Sequence, residues 1–286
     1  MNFFCALQKV IPQHSLSTLA GKLADSEIPW VKNLLIRLFK NAYNISLDEA
    51  QIKNYKEFVS FNNFFTRALE ADARTYSQAP DLLLSPADGV VSEAGIIDGM
   101  RILQAKGRDY RLDELLPVPQ SDWQPYVGGQ FATIYLAPND YHRFHMPCAG
   151  KLLKTVYVPG DLFSVNHSTA ANVPRLFARN ERLVAFFEGD FGPFAMVCVG
   201  ALIVSGIETI HHGLHKAPLR QLIWDDQPNI DGNEVHFKAG DEFGRFRLGS
   251  TVILLWPKSA DGISINLSKG ERVVCGQSIG RNTNCK

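Results

Sequence analysis

The sequence predicts an α+β protein, in which a helical N-terminal region is followed by a β-rich sandwich or barrel. Two observations support this fold class. Apolar residues recur at helical spacing near residues 34–39, whereas from about residue 82 the apolar period changes to two. Short β-branched and aromatic runs then alternate with turn-forming sequences, which is typical of antiparallel sheets. We therefore expect a helical region over residues 1–75 and a β-rich domain over residues 76–286.

Three segments predict helices in the first quarter of the chain. Leucine, isoleucine and phenylalanine recur at helical spacing over residues 34–39, with Lys32, Arg37 and Lys40 between them, as in an amphipathic helix. Ser46 followed by Glu49 three residues later matches a capping box, so a helix should begin there. The aromatic run over residues 61–69 predicts another short helix.

The remainder of the chain predicts strands that are bounded by turn chemistry. Turn sequences occur at residues 88–89, 138–140, 189–193 and 231–232. A helical insertion is expected around residues 166–180. The predicted strands cover residues 90–91, 131–137, 183–187, 194–204 and 251–256.

Composition excludes several classes of protein. Of 286 residues, 45% are hydrophobic and 20% are charged, which excludes a disordered chain. The 29 basic residues balance 29 acidic ones, which argues against a dedicated nucleic-acid binder. The five cysteines are widely spaced without a CxxC pair, so neither a disulfide framework nor a structural zinc site is expected. No run of 18 apolar residues predicts a membrane-spanning helix, and the N-terminus lacks the features of a signal peptide.

Ser250 stands in the sequence LGST, directly before an apolar strand. The hydroxyl of a serine that follows a glycine can attack the carbonyl of its own preceding peptide bond, here that of Gly249, if a base takes its proton. Taken alone, a Gly-Ser-Thr sequence is far more often a simple turn that contains a hydroxyl.

Two further segments supply candidate bases and carboxylates. The sequence YLAPNDYHRFHMP places Asp140, His142, Arg143 and His145 in a loop after a strand, and histidine is the natural general acid or base near neutral pH. Asp88 lies in SPADG, where the aspartate alone would be typical of a turn. Together the serine, histidines and aspartate form the set that activates a hydroxyl.

These segments belong to a longer series of matches, through which the chain resembles the bacterial phosphatidylserine decarboxylase proenzymes from about residue 12 to residue 280. The matching segments are SPADG (85–89), ILQAKG (102–107), YLAPNDYHRFHMP (135–147), YVPGDLFSVN (157–166), LFARNER (176–182), VGA (199–201), GRFRLGST (244–251) and GQSIG (276–280).

The resemblance implies that the chain cuts itself between Gly249 and Ser250, giving a β chain of residues 1–249 and an α chain of residues 250–286. Ser250 would become a pyruvoyl group, the only cofactor, with no metal. Asp88, His145 and Ser250 match the self-cleavage triad of the family. His142 matches a histidine assigned to decarboxylation, and Asp140 supports it.

The implied reaction converts phosphatidylserine to phosphatidylethanolamine and carbon dioxide through a Schiff base, as part of phospholipid biosynthesis. The implied location is peripheral, on the cytoplasmic face of the bacterial inner membrane, as a homodimer of αβ units. Arg143 is a candidate contact for the lipid phosphate. The N-terminal helices would lie in an anionic membrane surface, although packing on the sheet is an equal alternative. The apolar residues expected to reach the membrane are Phe3, Phe4, Leu7, Val10, Ile11 and those at 34–39.

Other interpretations remain open at this point. A pyruvoyl enzyme acting on a soluble amino acid would share the self-cleavage but would not need the membrane. A Ser/His/Asp hydrolase would be expected to carry its serine in a GxSxG turn, and Ser250 does not stand in such a sequence. The two segments SPADGVV and KGERVVCGQSIG also resemble the halves of a biotinyl or lipoyl carrier, but the carrier's lysine motif is absent. Finally, His211, His212 and His215 suggest a metal site only weakly, because no glutamate or cysteine completes a zinc pattern.

Overall fold

The computed structural model describes residues 8, 13–77, 79–201, 206–215, 222–247, 250–258 and 262–284. None of the helices in these ranges combines the length and the apolar character needed to cross a bilayer. Gly249, the predicted apolar residues before position 12 and the last part of the predicted strand 194–204 lie outside the described residues.

Seven helices are described, all but two of them shorter than two turns. They are α1 (Gln13–Ala24), α2 (Pro29–Tyr43), α3 (Phe61–Phe65), α4 (Leu112–Leu115), α5 (Gln120–Trp123), α6 (His167–Asn172) and α7 (Leu176–Arg179), with 3-10 turns at Tyr55–Glu57 and Gln124–Tyr126.

Helix α2 confirms the amphipathic helix predicted over residues 34–39. Pro29 occupies a first-turn position, where its missing N–H costs no hydrogen bond. Asn44 ends the helix in the left-handed conformation with φ 56°. The inner face of the helix packs Ile36 into an aromatic cluster that contains Phe58, Phe61, Phe64 and Phe65.

The helix expected to begin at Ser46 is not present, so that prediction was wrong. The Ser46 hydroxyl accepts a hydrogen bond from the Asp48 backbone N–H at 3.0 Å and closes a local turn instead. Ala50 then forms an isolated bridge with Leu69. The predicted helix over residues 61–69 is confirmed only as far as Phe65, and the insertion at 166–180 is confirmed as the two short helices α6 and α7.

The strands confirm the β-rich character predicted for the rest of the chain. They are β1 (Leu82–Leu84), β2 (Gly89–Ile96), β3 (Arg101–Ala105), β4 (Arg108–Arg111), β5 (Gln130–Leu136), β6 (Arg143–His145), β7 (Gly150–Val158), β8 (Arg182–Gly189), β9 (Gly192–Gly200), β10 (Gly206–Thr209), β11 (Gly213–His215), β12 (Ile223–Asp225), β13 (Asn229–Ile230), β14 (Asn233–Glu234), β15 (His236–Phe237), β16 (Glu242–Arg247), β17 (Ser250–Trp256), β18 (Ile263–Ile265), β19 (Arg272–Val273) and β20 (Ser278–Asn282).

The largest sheet is antiparallel and runs in the order β12-β7-β8-β9-β17-β5-β2-β19, with β15 also pairing with β7. A second antiparallel sheet has the order β11-β10-β16-β6, and a third has the order β1-β20-β18. The hairpins β3-β4 and β13-β14 stand apart from these sheets. Asp231 and Gly232 have φ of 52° and 82° at the turn of the second hairpin, as a primed turn requires.

Strand β17 lies between β9 and β5 in the middle of the largest sheet, and it is buried on both faces because a hydrophobic core packs against each of them. Val252 and Leu254 face a core shared with Phe144, Phe243 and other residues of the second sheet. The alternate residues Ile253 and Leu255 face a separate core that contains residues of β3, β4 and helices α4, α6 and α7. The α+β class is thereby confirmed, with layers on both sides of the central sheet.

Candidate active site

Ser250 is the first residue of β17, opposite Leu136 of β5 and Gly200 of β9. It has no exposed surface, and its hydroxyl has no hydrogen-bond partner. A buried hydroxyl without a partner loses its hydration without compensation, which is rare in a folded core. The site therefore contains a nucleophile that no structural hydrogen bond restrains.

The loop after β5 carries Asp140 and His142, both fully or almost fully buried. One carboxylate oxygen of Asp140 accepts from the Ala137 backbone N–H at 2.7 Å, which closes the turn, and the other accepts from Arg272 at 2.7 Å. The Nδ1 atom of His142 lies 2.9 Å from the Asp140 carbonyl oxygen. Since a carbonyl only accepts, Nδ1 carries the proton and Nε2 presents a lone pair.

Nε2 of His142 is buried without a hydrogen-bond partner, as the hydroxyl of Ser250 is. Burial lowers the pKa of His142 to about 3, and the nearby charge of Arg67 acts in the same direction, while the bond to Asp140 opposes them. The ring of Phe65 packs on the imidazole with centroids 4.0 Å apart. His142 is therefore a neutral histidine at physiological pH.

His145 lies at the end of β6 and uses both of its ring nitrogens. Nδ1 donates to the Gly240 carbonyl at 2.8 Å, so Nε2 is the acceptor of a hydrogen bond from the Tyr141 hydroxyl at 3.1 Å. Burial lowers the pKa of His145, while the Gly240 carbonyl and the charges of Glu242 and Asp88 act against burial.

Asp88 lies in the turn before β2 and is almost fully buried. Its carboxylate accepts from Arg74 Nε at 3.2 Å and from the Cys275 backbone N–H at 2.8 Å. Arg74 also forms an ion pair with Glu49. One arginine therefore connects the N-terminal region to the carboxylate that the family resemblance assigns to the triad.

The structure bonds His142 to Asp140, but it does not join the three residues of the predicted triad, Asp88, His145 and Ser250, by hydrogen bonds. Within the described ranges, neither Asp88 nor His145 bonds to Ser250, whose hydroxyl is unpartnered. The Phe246 N–H donates to the His142 carbonyl at 3.0 Å, and Ser250 follows Phe246 by four residues, a reach of at most about 14 Å. His145 pairs with Glu242, the first residue of β16.

The remaining predicted residues have other contacts. The guanidinium of Arg143 donates to the Thr66 carbonyl and pairs with Glu242, so its expected contact with a phosphate stays a prediction. His215 bonds to Thr209 at 2.8 Å. Across the part of the chain that the structure describes, no three histidine, cysteine, aspartate or glutamate side chains are grouped so as to hold a metal.

Several residues at the site were not found from the sequence. Arg67 and Arg74 reach it from the end of the N-terminal region and Arg272 reaches it from the C-terminal segment, and only their tertiary placement shows this. Tyr141 lies inside the histidine loop and could have been noticed there, because a tyrosine between two candidate histidines can bond to either of them.

Comparisons with known proteins agree on one family. A family model described as phosphatidylserine decarboxylase matches residues 61–281, and a model described as PSD matches residues 3–44. The chain is 48% identical to a protein of Alcanivorax borkumensis over 98% of this chain and 96% of that one. It is 50% identical to a protein of Psychrobacter arcticus over 91% of each, and 46% identical to one of Pseudomonas fluorescens over 97% and 96%. All three relatives bear the name phosphatidylserine decarboxylase proenzyme.

Proposed function

The chain belongs to the phosphatidylserine decarboxylase family, and from this we propose that it matures by cutting itself before Ser250 and then decarboxylates phosphatidylserine. The observation that carries the proposal is the buried, unpartnered hydroxyl of Ser250 at the start of the central strand. Matches over nearly the whole chain favour this family over a hydrolase or a carrier domain.

Self-cleavage would begin when a base removes the proton from the Ser250 hydroxyl. We assign this role to His145 with Asp88 as its supporting carboxylate, which requires that His145 Nε2 exchange its bond from Tyr141 for one from Ser250. The serine oxygen attacks the Gly249 carbonyl, and the peptide bond becomes an ester. Elimination of the carboxylate of residue 249 leaves dehydroalanine, which takes up water and releases ammonia to give a pyruvoyl group.

The environment of Ser250 fits a pyruvoyl group. A carbonyl in place of the hydroxyl would leave no donor unsatisfied in this buried position. The pyruvoyl carbonyl would form a Schiff base with the substrate amine and accept the electron pair that is released as carbon dioxide leaves.

His142 is assigned to proton transfer at the substrate. Asp140 holds its Nδ1–H, which leaves Nε2 free toward the interior. A neutral imidazole whose pKa is about 3 must first gain a proton, so an anionic substrate that raises this pKa would prepare it as the acid.

Binding to a membrane surface would be mediated by two exposed apolar stripes. On α1 the exposed side chains Leu16, Leu19 and Leu23 follow helical spacing, and on α2 the side chains Trp30, Leu34 and Leu38 do the same. Exposed Lys22 and Arg37 add positive charge that favours anionic lipid. Lys32, in contrast, is buried and bonds to the Lys56 carbonyl.

We assign the enzyme to the cytoplasmic face of the inner membrane as a homodimer of αβ units, both from the family resemblance. The division into a membrane-associating region of residues 1–75 and a catalytic domain of residues 76–286 also stays a prediction. Helix α2 and the Phe58–Phe65 cluster form a core separate from the two cores of the sheet, which supports such a division.

Intact-mass measurement of denatured protein tests self-processing. We expect two fragments separated after Gly249, the shorter lighter than a serine-initiated peptide by the difference between serine and pyruvoyl. The Ser250→Ala variant should remain one chain. Thr251→Ala is the matched control, because this neighbouring hydroxyl is equally buried and unpartnered, and it should be cut. An uncut wild-type chain that decarboxylates phosphatidylserine would overturn the mechanism.

A further inference from the structure

A cavity of about 540 Å³ lies between the N-terminal region and the histidine loop. Residues 44–46 and 48–50, which follow α2, form one wall, and residues 139–141 form another. Arg272 and Val274 of the C-terminal segment contribute a third. This volume falls within the range of small-ligand sites, and the cavity runs from the end of the apolar helix to Asp140, which bonds to His142.

Arg67 lines this cavity and is 6% exposed. Its Nη2 donates to the Asn139 carbonyl at 3.2 Å, whereas its Nη1 is buried without a hydrogen-bond partner. Its guanidinium carbon also lies 5.9 Å from the centroid of the Phe64 ring. Burial lowers the pKa of Arg67, as expected of a cation that has lost its hydration.

The other two arginines of the cavity are paired, and this distinguishes Arg67 from them. Arg74 pairs with Asp88 and Glu49, and Arg272 pairs with Asp140. Asp88 and Asp140 act on Arg67 only through space, since neither accepts a hydrogen bond from it. A buried guanidinium with a free donor is costly unless an anionic oxygen completes its hydrogen bonds.

We propose that this cavity binds the phosphate of an anionic phospholipid headgroup, with Arg67 as the residue that donates to a phosphate oxygen. The inference deepens the proposed function and rests on it for the lipid. The cavity begins at the C-terminal end of α2, a helix whose exposed Trp30 and Leu38 are suited to a bilayer, and it extends to Asp140, which bonds to His142. Arg143, by comparison, is already paired with Glu242.

The carboxylates that line the same cavity restrict the charge of the ligand it can bind. Asp48 and Glu49 lie on the wall that follows α2, so a simple dianion would be repelled there. A phosphodiester carries a single negative charge, and the ammonium and carboxylate groups of the serine headgroup cancel each other in net charge, so its repulsion is weaker than that of a dianion. Glycerophosphoserine should therefore bind more tightly than inorganic phosphate.

The experiment measures binding without catalysis. The Ser250→Ala variant is used because it stays uncut, so that binding is measured apart from cleavage. It is titrated with glycerophosphoserine, inorganic phosphate or serine while the midpoint of its thermal unfolding is recorded. We expect saturable stabilisation by glycerophosphoserine and an apparent Kd at least tenfold higher in Arg67→Met on the same background. Arg101→Met is the matched control, because Arg101 is exposed and its ion pair with Asp109 is loose at 3.9 Å.

Arg67→Lys covers the case in which Arg67→Met does not fold. It keeps the charge but loses the two-pronged donor, so its Kd should rise by a smaller factor, about threefold to tenfold. Arg67-dependent binding of inorganic phosphate but not of the diester would overturn the headgroup assignment in favour of free phosphate. Equal stabilisation by serine alone, or no dependence on Arg67, would overturn the phosphate site. Neither result bears on self-cleavage, which is tested separately by mass.

Discussion

His142 and His145 are both buried, yet their ring nitrogens have different partners. His145 Nε2 accepts from Tyr141, and His142 Nε2 accepts from no described residue. A histidine that can exchange a hydroxyl partner suits proton removal from Ser250. A histidine with a free lone pair beside the Asp140 turn suits contact with a substrate.

This difference predicts separable variants. His145→Ala should leave the chain uncut, whereas His142→Ala should be cut and should decarboxylate phosphatidylserine at least 100-fold more slowly, since it loses general acid–base catalysis. Intact mass and carbon dioxide release report the two steps. His236→Ala, at an exposed histidine, is the control and should change neither. If His142→Ala stayed uncut, the two roles would have to be exchanged.

At the scale of single residues, the sequence supplied the candidate reacting side chains but not their hydrogen-bond and ion-pair partners. Asp88, His142, His145 and Ser250 stand in recognisable segments because their chemistry is local to the motif. The pairing of Arg74 with Asp88 and of Arg272 with Asp140 joins segments that are distant in the chain. Hydrophobic periodicity carries no information on such long-range ion pairs, so they become visible only in the folded structure.

At the scale of elements, α1 and α2 leave large apolar side chains in water. Trp30 is 72% exposed and Leu19 is 67% exposed, which is unusual for side chains of this size. Their opposite faces are buried, with Ala24 and Ile36 in the core of the N-terminal region. The apolar inner faces therefore pack within the N-terminal region and not in the cores of the sheet, and contact of the outer faces with a membrane stays a prediction.

The exposed stripe predicts the strength of membrane binding. Trp30→Ala combined with Leu38→Ala should weaken binding to phosphatidylserine vesicles about tenfold or more, because each removed side chain forfeits buried apolar area. Sedimentation with vesicles at fixed lipid concentration measures this. Ile96→Ala removes a comparably exposed side chain from β2 and should leave binding unchanged. Equal loss in both variants would argue against a specific helical surface.

Helices and strands with a sustained hydrophobic period could be predicted from the sequence. Segments whose conformation depends on local side-chain hydrogen bonds could not. Helix α2 follows its apolar spacing over four turns, and β17 follows its β-branched run. The segment from Ser46 has the letters of a capping box, but the Ser46 hydroxyl closes a turn and Ala50 pairs with Leu69. A side chain that can bond its own backbone in two ways leaves the choice to tertiary contacts.

At the scale of the whole molecule, buried neutral histidines make stability depend on pH. Burial lowers the pKa of His142 and of His215 to about 3, below the value of about 6.5 expected in the unfolded chain. Between these values the unfolded state binds more protons. The stability that these neutral histidines contribute is therefore fully present above pH 6.5 and is lost as the pH falls toward 3.

For His142 alone, the loss at pH 5 is about 2 kcal/mol of unfolding free energy. Urea unfolding of the Ser250→Ala chain at pH 7.5 and pH 5 measures it, and the uncut chain avoids a two-chain equilibrium. In His142→Gln, the difference between the unfolding free energies at pH 7.5 and pH 5 should be smaller. A chain as stable at pH 5 as at pH 7.5 would contradict the neutral, buried state of these rings.

The segment that begins at Ser250 is distributed through the molecule. It supplies the central strand β17, two strands of the three-stranded sheet, the edge strand β19, and Arg272, which holds Asp140. After the proposed cut this segment would be a separate polypeptide interlaced with its former other half. Recovery from denaturation would then be a second-order reaction that slows on dilution, unlike the folding of the single precursor chain. Maturation would thus be one-way with respect to folding. The precursor folds as a single chain, whereas the cleaved product, once unfolded, must reassemble from two separate polypeptides.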